Sequence, residues 1–80
     1  MKKVIVYTLQ KCNHSKNLKE WLKENGVDFE ERDVSESKTH LEELVEYGVN
    51  KTPFSVIKSE NNYIKVTGFD KETFEKELLK

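Results

Sequence analysis

Val4-Ile5-Val6-Tyr7-Thr8-Leu9-Gln10-Lys11-Cys12-Asn13-His14-Ser15 is the stretch on which the fold turns. Lys3 to Thr8 is a β-branched and aromatic run without alternation, which predicts a strand buried on both faces, as central parallel strands are. After Leu9-Gln10-Lys11-Cys12-Asn13 the period changes. Leu18, Trp21 and Leu22 lie three and four apart, with Lys16, Lys19, Glu20, Lys23 and Glu24 around the rest of the wheel, so an amphipathic helix follows. Asn25-Gly26 stops it, glycine supplying the left-handed conformation common just past a helix C-terminus. A strand therefore runs into a helix with a cysteine at the junction.

Outward from that unit, Asp28 to Val34 reads as a short charged strand near a sheet edge, with Phe29 and Val34 its apolar members. Ser35 or Thr39 is expected to cap a second helix, Thr39 with Glu42 as a capping box, and Leu41, Leu44, Val45 and Gly48 follow at helical spacing. Past Thr52-Pro53, the segments Phe54 to Lys58 and Tyr63 to Thr67 flank Ser59-Glu60-Asn61-Asn62 and read as an antiparallel hairpin. Asp70 is expected to cap a last helix carrying Phe74, Leu78 and Leu79. The order is β-α-β-α-β-β-α. A right-handed crossover sets the first two strands side by side, in a four-stranded mixed sheet flanked by three helices on both faces. Tyr7, Trp21, Phe54 and Phe74 read as core, and Tyr47 and Tyr63 as partly buried rim.

Composition narrows the functions. Eighty residues, 35% of them hydrophobic, allow one domain, 1–80, with one economical core. Lys and Arg number 14 against 15 Asp and Glu, a formal charge of −1, so no electrostatic excess favours nucleic acid or an anionic membrane. The apolar run from Val4 to Tyr7 falls far short of the ~20 residues a membrane helix needs. The single cysteine cannot form an internal disulfide, which fits a reducing compartment; a cytoplasmic protein with a free thiol is expected. His40 has no partner spacing that suggests a metal site.

A lone cysteine is by default a small buried hydrophobe. Cys12 differs by position, since it lies where the C-end of a strand leaves a crevice and the N-terminus of a helix presents unpaired N–H groups. With Lys11, Lys16 and His14 nearby, its thiol is expected to ionise below the unperturbed ~8.5. His14 reads as an exposed loop residue that could also donate a proton to a leaving thiol.

The segment Val4-Ile5-Val6-Tyr7-Thr8 leading to Cys12-Asn13-His14-Ser15, then Gly26-Val27-Asp28-Phe29, Asp33-Val34-Ser35, Gly48-Val49, Thr52-Pro53 and Gly68-Phe69-Asp70, resembles bacterial glutaredoxin-like proteins of the thioredoxin fold over nearly the whole chain. The resemblance implies a cis Thr52-Pro53 bond facing the cysteine. It also implies glutathione as co-substrate: the backbone of Thr52 would pair with its cysteinyl part, Lys11 would attract its glycine carboxylate, and Gly68, Phe69 and Asp70 would receive its γ-glutamyl carboxylate. Where dithiol members carry a second cysteine, this chain has Ser15. The expected activity is therefore glutathione-dependent reduction of mixed disulfides by a monothiol route through Cys12. Expected partners are glutathione and glutathionylated or disulfide-containing proteins, with the chain a monomer that an oxidised Cys12 would link into a dimer. Two other readings stand: an iron–sulfur or persulfide carrier with Cys12 as ligand, and a dithiol redoxin whose resolving cysteine has been replaced by Ser15.

Overall fold

Five of the six residues of strand β1 (Lys3–Thr8) are buried, all but Lys3, because strands pair with it on both sides. The structure, a computed structural model, describes residues 3–79. After β1 come α1 (Asn13–Glu24), β2 (Glu30–Asp33), α2 (Lys38–Glu46), β3 (Phe54–Lys58), β4 (Tyr63–Thr67) and α3 (Lys71–Leu78). The sheet order is β2-β1-β3-β4. β2 runs parallel to β1, with Ile5 opposite Glu30 and Thr8 opposite Asp33, whereas β3 pairs antiparallel to both β1 and β4. This is the thioredoxin fold, and the element order, the edge position of β2 and the hairpin all match the reading of the sequence.

Side chains alternate across β1, and the alternation divides the core. Val4 and Val6 face α1 and α3, packing with Leu18, Trp21, Leu22, Ile57, Val66 and Phe74. Ile5 and Tyr7 face α2, packing with Leu44, Phe54 and Val56. The core expected as one body is thus two layers with the sheet between them. On the α2 side a polar contact closes the layer: Arg32 donates to Tyr7 and to Glu43, and Tyr7 donates to Glu43.

The second helix departs from its expected start. Ser37 is its N-cap, accepting from the His40 N–H. Ser35 is unavailable, since its N–H and hydroxyl both donate to the Asp33 carboxylate, an Asx turn that ends β2. Thr39 already lies inside the helix. The helix also buries less than its spacing suggested: Leu44 faces the core, while Leu41 and Val45 are 45% and 63% exposed. Tyr63, on the edge strand β4, is 54% exposed rather than part of a buried rim, and Leu79 is the exposed C-cap of α3. Among the described residues no helix is long and apolar enough to cross a membrane.

Candidate functional site

The strand-to-helix junction is built from the backbone outward. β1 ends at Thr8, and the chain turns tightly through residues 9–12, closed by the Cys12 N–H donating to the Leu9 carbonyl at 2.9 Å. Cys12 is the N-cap of α1, in extended conformation at φ −91° and ψ 116°, and its own carbonyl accepts from the Lys16 N–H. An N-cap side chain usually accepts from the first-turn N–H groups. Cys12 makes no such cap bond, and α1 has no acidic residue in its first turn, so nothing else there competes for those donors.

One further segment meets Cys12, and a second is bonded to it in turn. The half-buried thiol donates to the Thr52 carbonyl at 3.6 Å. Thr52 precedes Pro53 through a cis peptide bond, as the resemblance implied, and Pro53 is buried. The Pro53 carbonyl accepts from the Gly68 N–H at 2.8 Å, which brings the end of β4 beside the same loop. Gly68 has φ +75°, so it turns the chain where a side chain would strain it. Phe69 follows, its ring edge-on to Trp21 at 6.3 Å, and Asp70 caps α3 by accepting from the Thr73 N–H and hydroxyl. Of these residues Thr52 touches Cys12, and Gly68, Phe69 and Asp70 join it through the Pro53–Gly68 bond, while Lys11 stands exposed next to Cys12 in sequence.

Ser15 lies below the thiol rather than beside it in solvent. It is 1% exposed, and its hydroxyl accepts from the Leu9 N–H at 3.4 Å. Burial raises the pKa of the Cys12 thiol, but the Ser15 hydroxyl and N–H, the Thr52 side chain and the His14 N–H outweigh it, leaving the thiol below its ordinary value. The lowered thiol pKa expected from the sequence therefore holds, with a partly different cause. His14 helps through its backbone, its side chain being exposed.

Two contributors were missed at the level of sequence. Leu9 looks like a loop residue, yet its N–H and carbonyl brace both Ser15 and Cys12. Thr8 closes an otherwise apolar strand, and a hydroxyl ending such a run is itself a signal; it is 1% exposed and donates to Glu31 at 2.8 Å. Among the described residues no three His, Cys, Asp or Glu side chains gather as a metal-binding set.

A thioredoxin-fold sheet with a half-buried, acidified cysteine capping its first helix defines a redoxin, a thiol oxidoreductase. The glutaredoxin family model matches residues 4–60, and the chain belongs to the glutaredoxin family. Among solved structures, the T8A mutant of the thioredoxin-like protein BC3987 is 34% identical, covers 98% of this chain and 100% of that one, and superposes with a TM-score of 0.81. The glutaredoxin from Methanosarcina mazei Go1 is 30% identical over 92% of this chain and 75% of that one, with a TM-score of 0.75. The glutaredoxin-like protein NrdH-redoxin from Escherichia coli reaches a TM-score of 0.77 over 94% and 93% of the chains at 21% identity, a likeness of fold alone. No curated protein matches the sequence.

Proposed function

We propose that the protein reduces glutathionylated thiols by a monothiol route, using Cys12 as the nucleophile and glutathione as the reductant. The observation that carries this reading is a single acidified sulfur, held half-buried at the start of α1 with a buried serine where a resolving cysteine would stand.

The Cys12 thiolate attacks the glutathione sulfur of a mixed disulfide, and the client leaves as a thiolate that takes a proton from solvent. The new bond joins Cys12 to glutathione. The Ser15 hydroxyl cannot displace it, so a second glutathione thiolate attacks the bound glutathione sulfur, releasing oxidised glutathione and regenerating Cys12. For each mixed disulfide reduced, one free glutathione is consumed, and it leaves as oxidised glutathione paired with the glutathionyl group taken from the client. Glutathione in the mixed disulfide lies extended along Thr52, whose backbone borders the thiol, with its γ-glutamyl carboxylate toward Gly68, Phe69 and the start of α3, and its glycine carboxylate toward Lys11. Such chemistry suits a cytoplasmic monomer acting on many oxidised proteins.

Turnover of a glutathionylated peptide with excess glutathione tests the reading. Activity in the parent that is absent from Cys12→Ser is expected. A parent that reduces the peptide only with a dithiol reductant, or not at all, overturns glutathione dependence.

A further inference from the structure

The face of the sheet beneath α1 carries a second set of contacts that the proposed chemistry does not use. Thr8 shares that face with Val4 and Val6, and its hydroxyl donates to the Glu31 carboxylate at 2.8 Å. The same carboxylate oxygen accepts from Lys19 of α1, also at 2.8 Å. Lys19 lies four residues after Ser15, one helical turn along the same face. The two side chains fasten α1 to successive residues of one chain: Ser15 to the N–H of Leu9, and Lys19, through Glu31, to Thr8. The turn of residues 9–12 springs from that point, and Cys12 closes it on the Leu9 carbonyl.

We propose that Glu31 is a positioning residue for Cys12, clamping the end of β1 to α1 through Thr8 and Lys19 so that the 9–12 turn presents the sulfur to the Ser15 hydroxyl and the first N–H groups of the helix. Glu31 lies on the edge strand β2, remote in sequence from the cysteine, yet its carboxylate is bonded to both β1 and α1. Desolvation of its carboxyl is outweighed by Lys19 and Thr8, while Asp33 on the same strand opposes them, so it stays ionised at neutral pH.

The sign of the effect separates positioning from plain electrostatics. The charged or titratable side chains that the ends of the surrounding elements carry next to the Cys12 junction are Lys11, His14 and Lys16 on its own turn and first helical turn, Lys51 in the loop before β3, and Asp70, Lys71 and Glu72 at the start of α3. Glu31 acting only as a negative charge would disfavour the thiolate, so its removal would lower the thiol pKa. Loss of a clamp that holds the sulfur to its donors raises it. Thr8→Val changes no charge and cuts the same link from the other end.

The inference rests on Cys12 being the activated thiol and needs no glutathione. The test is the pH profile of iodoacetamide alkylation of the whole protein, with thermal melts on the same samples. Glu31→Ala and Thr8→Val should each move the midpoint upward by about half to one pH unit, about a threefold to tenfold smaller thiolate fraction below the midpoint. The double variant should move it no further than the larger single one. Glu31→Gln, which keeps an acceptor for Thr8 but loses the ion pair, should move it less, and carries the test with Thr8→Val if the alanine variant does not fold. A midpoint that stays put or falls, whatever the melting temperature does, overturns the clamp alone. A parent midpoint at the free-cysteine value overturns the activated thiol together with it.

Discussion

Two helices begin side by side at the same end of the sheet, and they treat their first-turn N–H groups in opposite ways. α3 is capped by Asp70, whose carboxylate accepts from the Thr73 N–H and hydroxyl, and Glu72 adds a second acid in the first turn. α1 has Cys12 at the equivalent place, with no side-chain cap bond and no acid in its first turn. Helix N-termini favour negative charge through their unpaired N–H groups and the aligned peptide dipoles. α3 supplies a fixed anion of its own. α1 leaves the position to a sulfur that becomes an anion only by ionising, so the helix end that does most for a thiolate is the one that forgoes a better cap.

Giving α1 a cap like that of α3 should produce the largest effect. Cys12→Asp places a permanent carboxylate where the thiolate forms, and Cys12→Ser places a hydroxyl there. Both should remove all turnover and all thiol alkylation, since Cys12 is the one cysteine of the 80 residues. Both should also melt at or above the parent temperature, because Asp and Ser are favoured N-caps worth about 0.5–2 kcal/mol over non-capping residues. At this chain length about 1 kcal/mol corresponds to about 4–8 °C. A lower melting temperature for both variants would mean that Cys12 holds the junction by packing, and the contrast with α3 would fail.

Ser15→Ala sharpens the contrast from below the sulfur. It removes a hydroxyl that favours the thiolate, so the midpoint of alkylation should rise toward the ordinary cysteine value. It also strands the Leu9 N–H, which costs about 1–3 kcal/mol for a buried donor. The bond is long, at 3.4 Å, and Leu9 is partly exposed, so the loss should sit near about 1 kcal/mol. Denaturant unfolding and the alkylation profile read the two effects separately. An unchanged midpoint would assign the acidity to the helix N–H groups alone.

Much of this contrast is legible in the residues. The change of period between Val4–Thr8 and Leu18–Leu22 places Cys12 at a helix start, and Asp70 before a Phe74–Leu78 pattern announces its own cap. What was not legible depends on contacts across the sheet. Ser35 reads as a cap until Asp33, two residues earlier, takes its N–H and hydroxyl. Leu41 and Val45 fit a helical stripe, but α2 meets the sheet through Leu44 and through the Glu43 contact with Tyr7 and Arg32, which leaves them outside. The Thr8–Glu31–Lys19 link is made of bonds between residues 23 and 12 positions apart, and charges on a predicted edge strand read simply as solvated. Periodicity reports which face a residue occupies, not which polar partner awaits it there.

The smallest effect comes from Asp70, and it tests whether the two helix ends differ in the pH at which their anions matter. The Thr73 hydroxyl and N–H hold the Asp70 carboxyl below its ordinary value. A carboxyl depressed in the folded state contributes stability that is complete above its unfolded pKa, about 3.9, and drains as pH falls through the folded value. Asp70→Ala should therefore melt below the parent at neutral pH, with the gap closing as the solution is acidified through that range. Asp70→Asn, an equally good cap without a titrating group, should stay close to the parent at neutral pH and hold its melting temperature better in acid. The Cys12 thiol is depressed too, so its contribution follows the same sign in a higher window: complete above the free-thiol value of about 8.5, and lost as pH falls through the lower folded value. Thermal melts of parent, Asp70→Asn and Cys12→Ser across the full pH range should show an acid loss that Asp70→Asn reduces, the remainder belonging to Glu30, Glu31 and Asp33, and an upper transition below the free-thiol value that vanishes with Cys12→Ser. A Cys12→Ser variant that keeps the upper transition would locate that ionisation elsewhere and leave the start of α1 without its titratable cap.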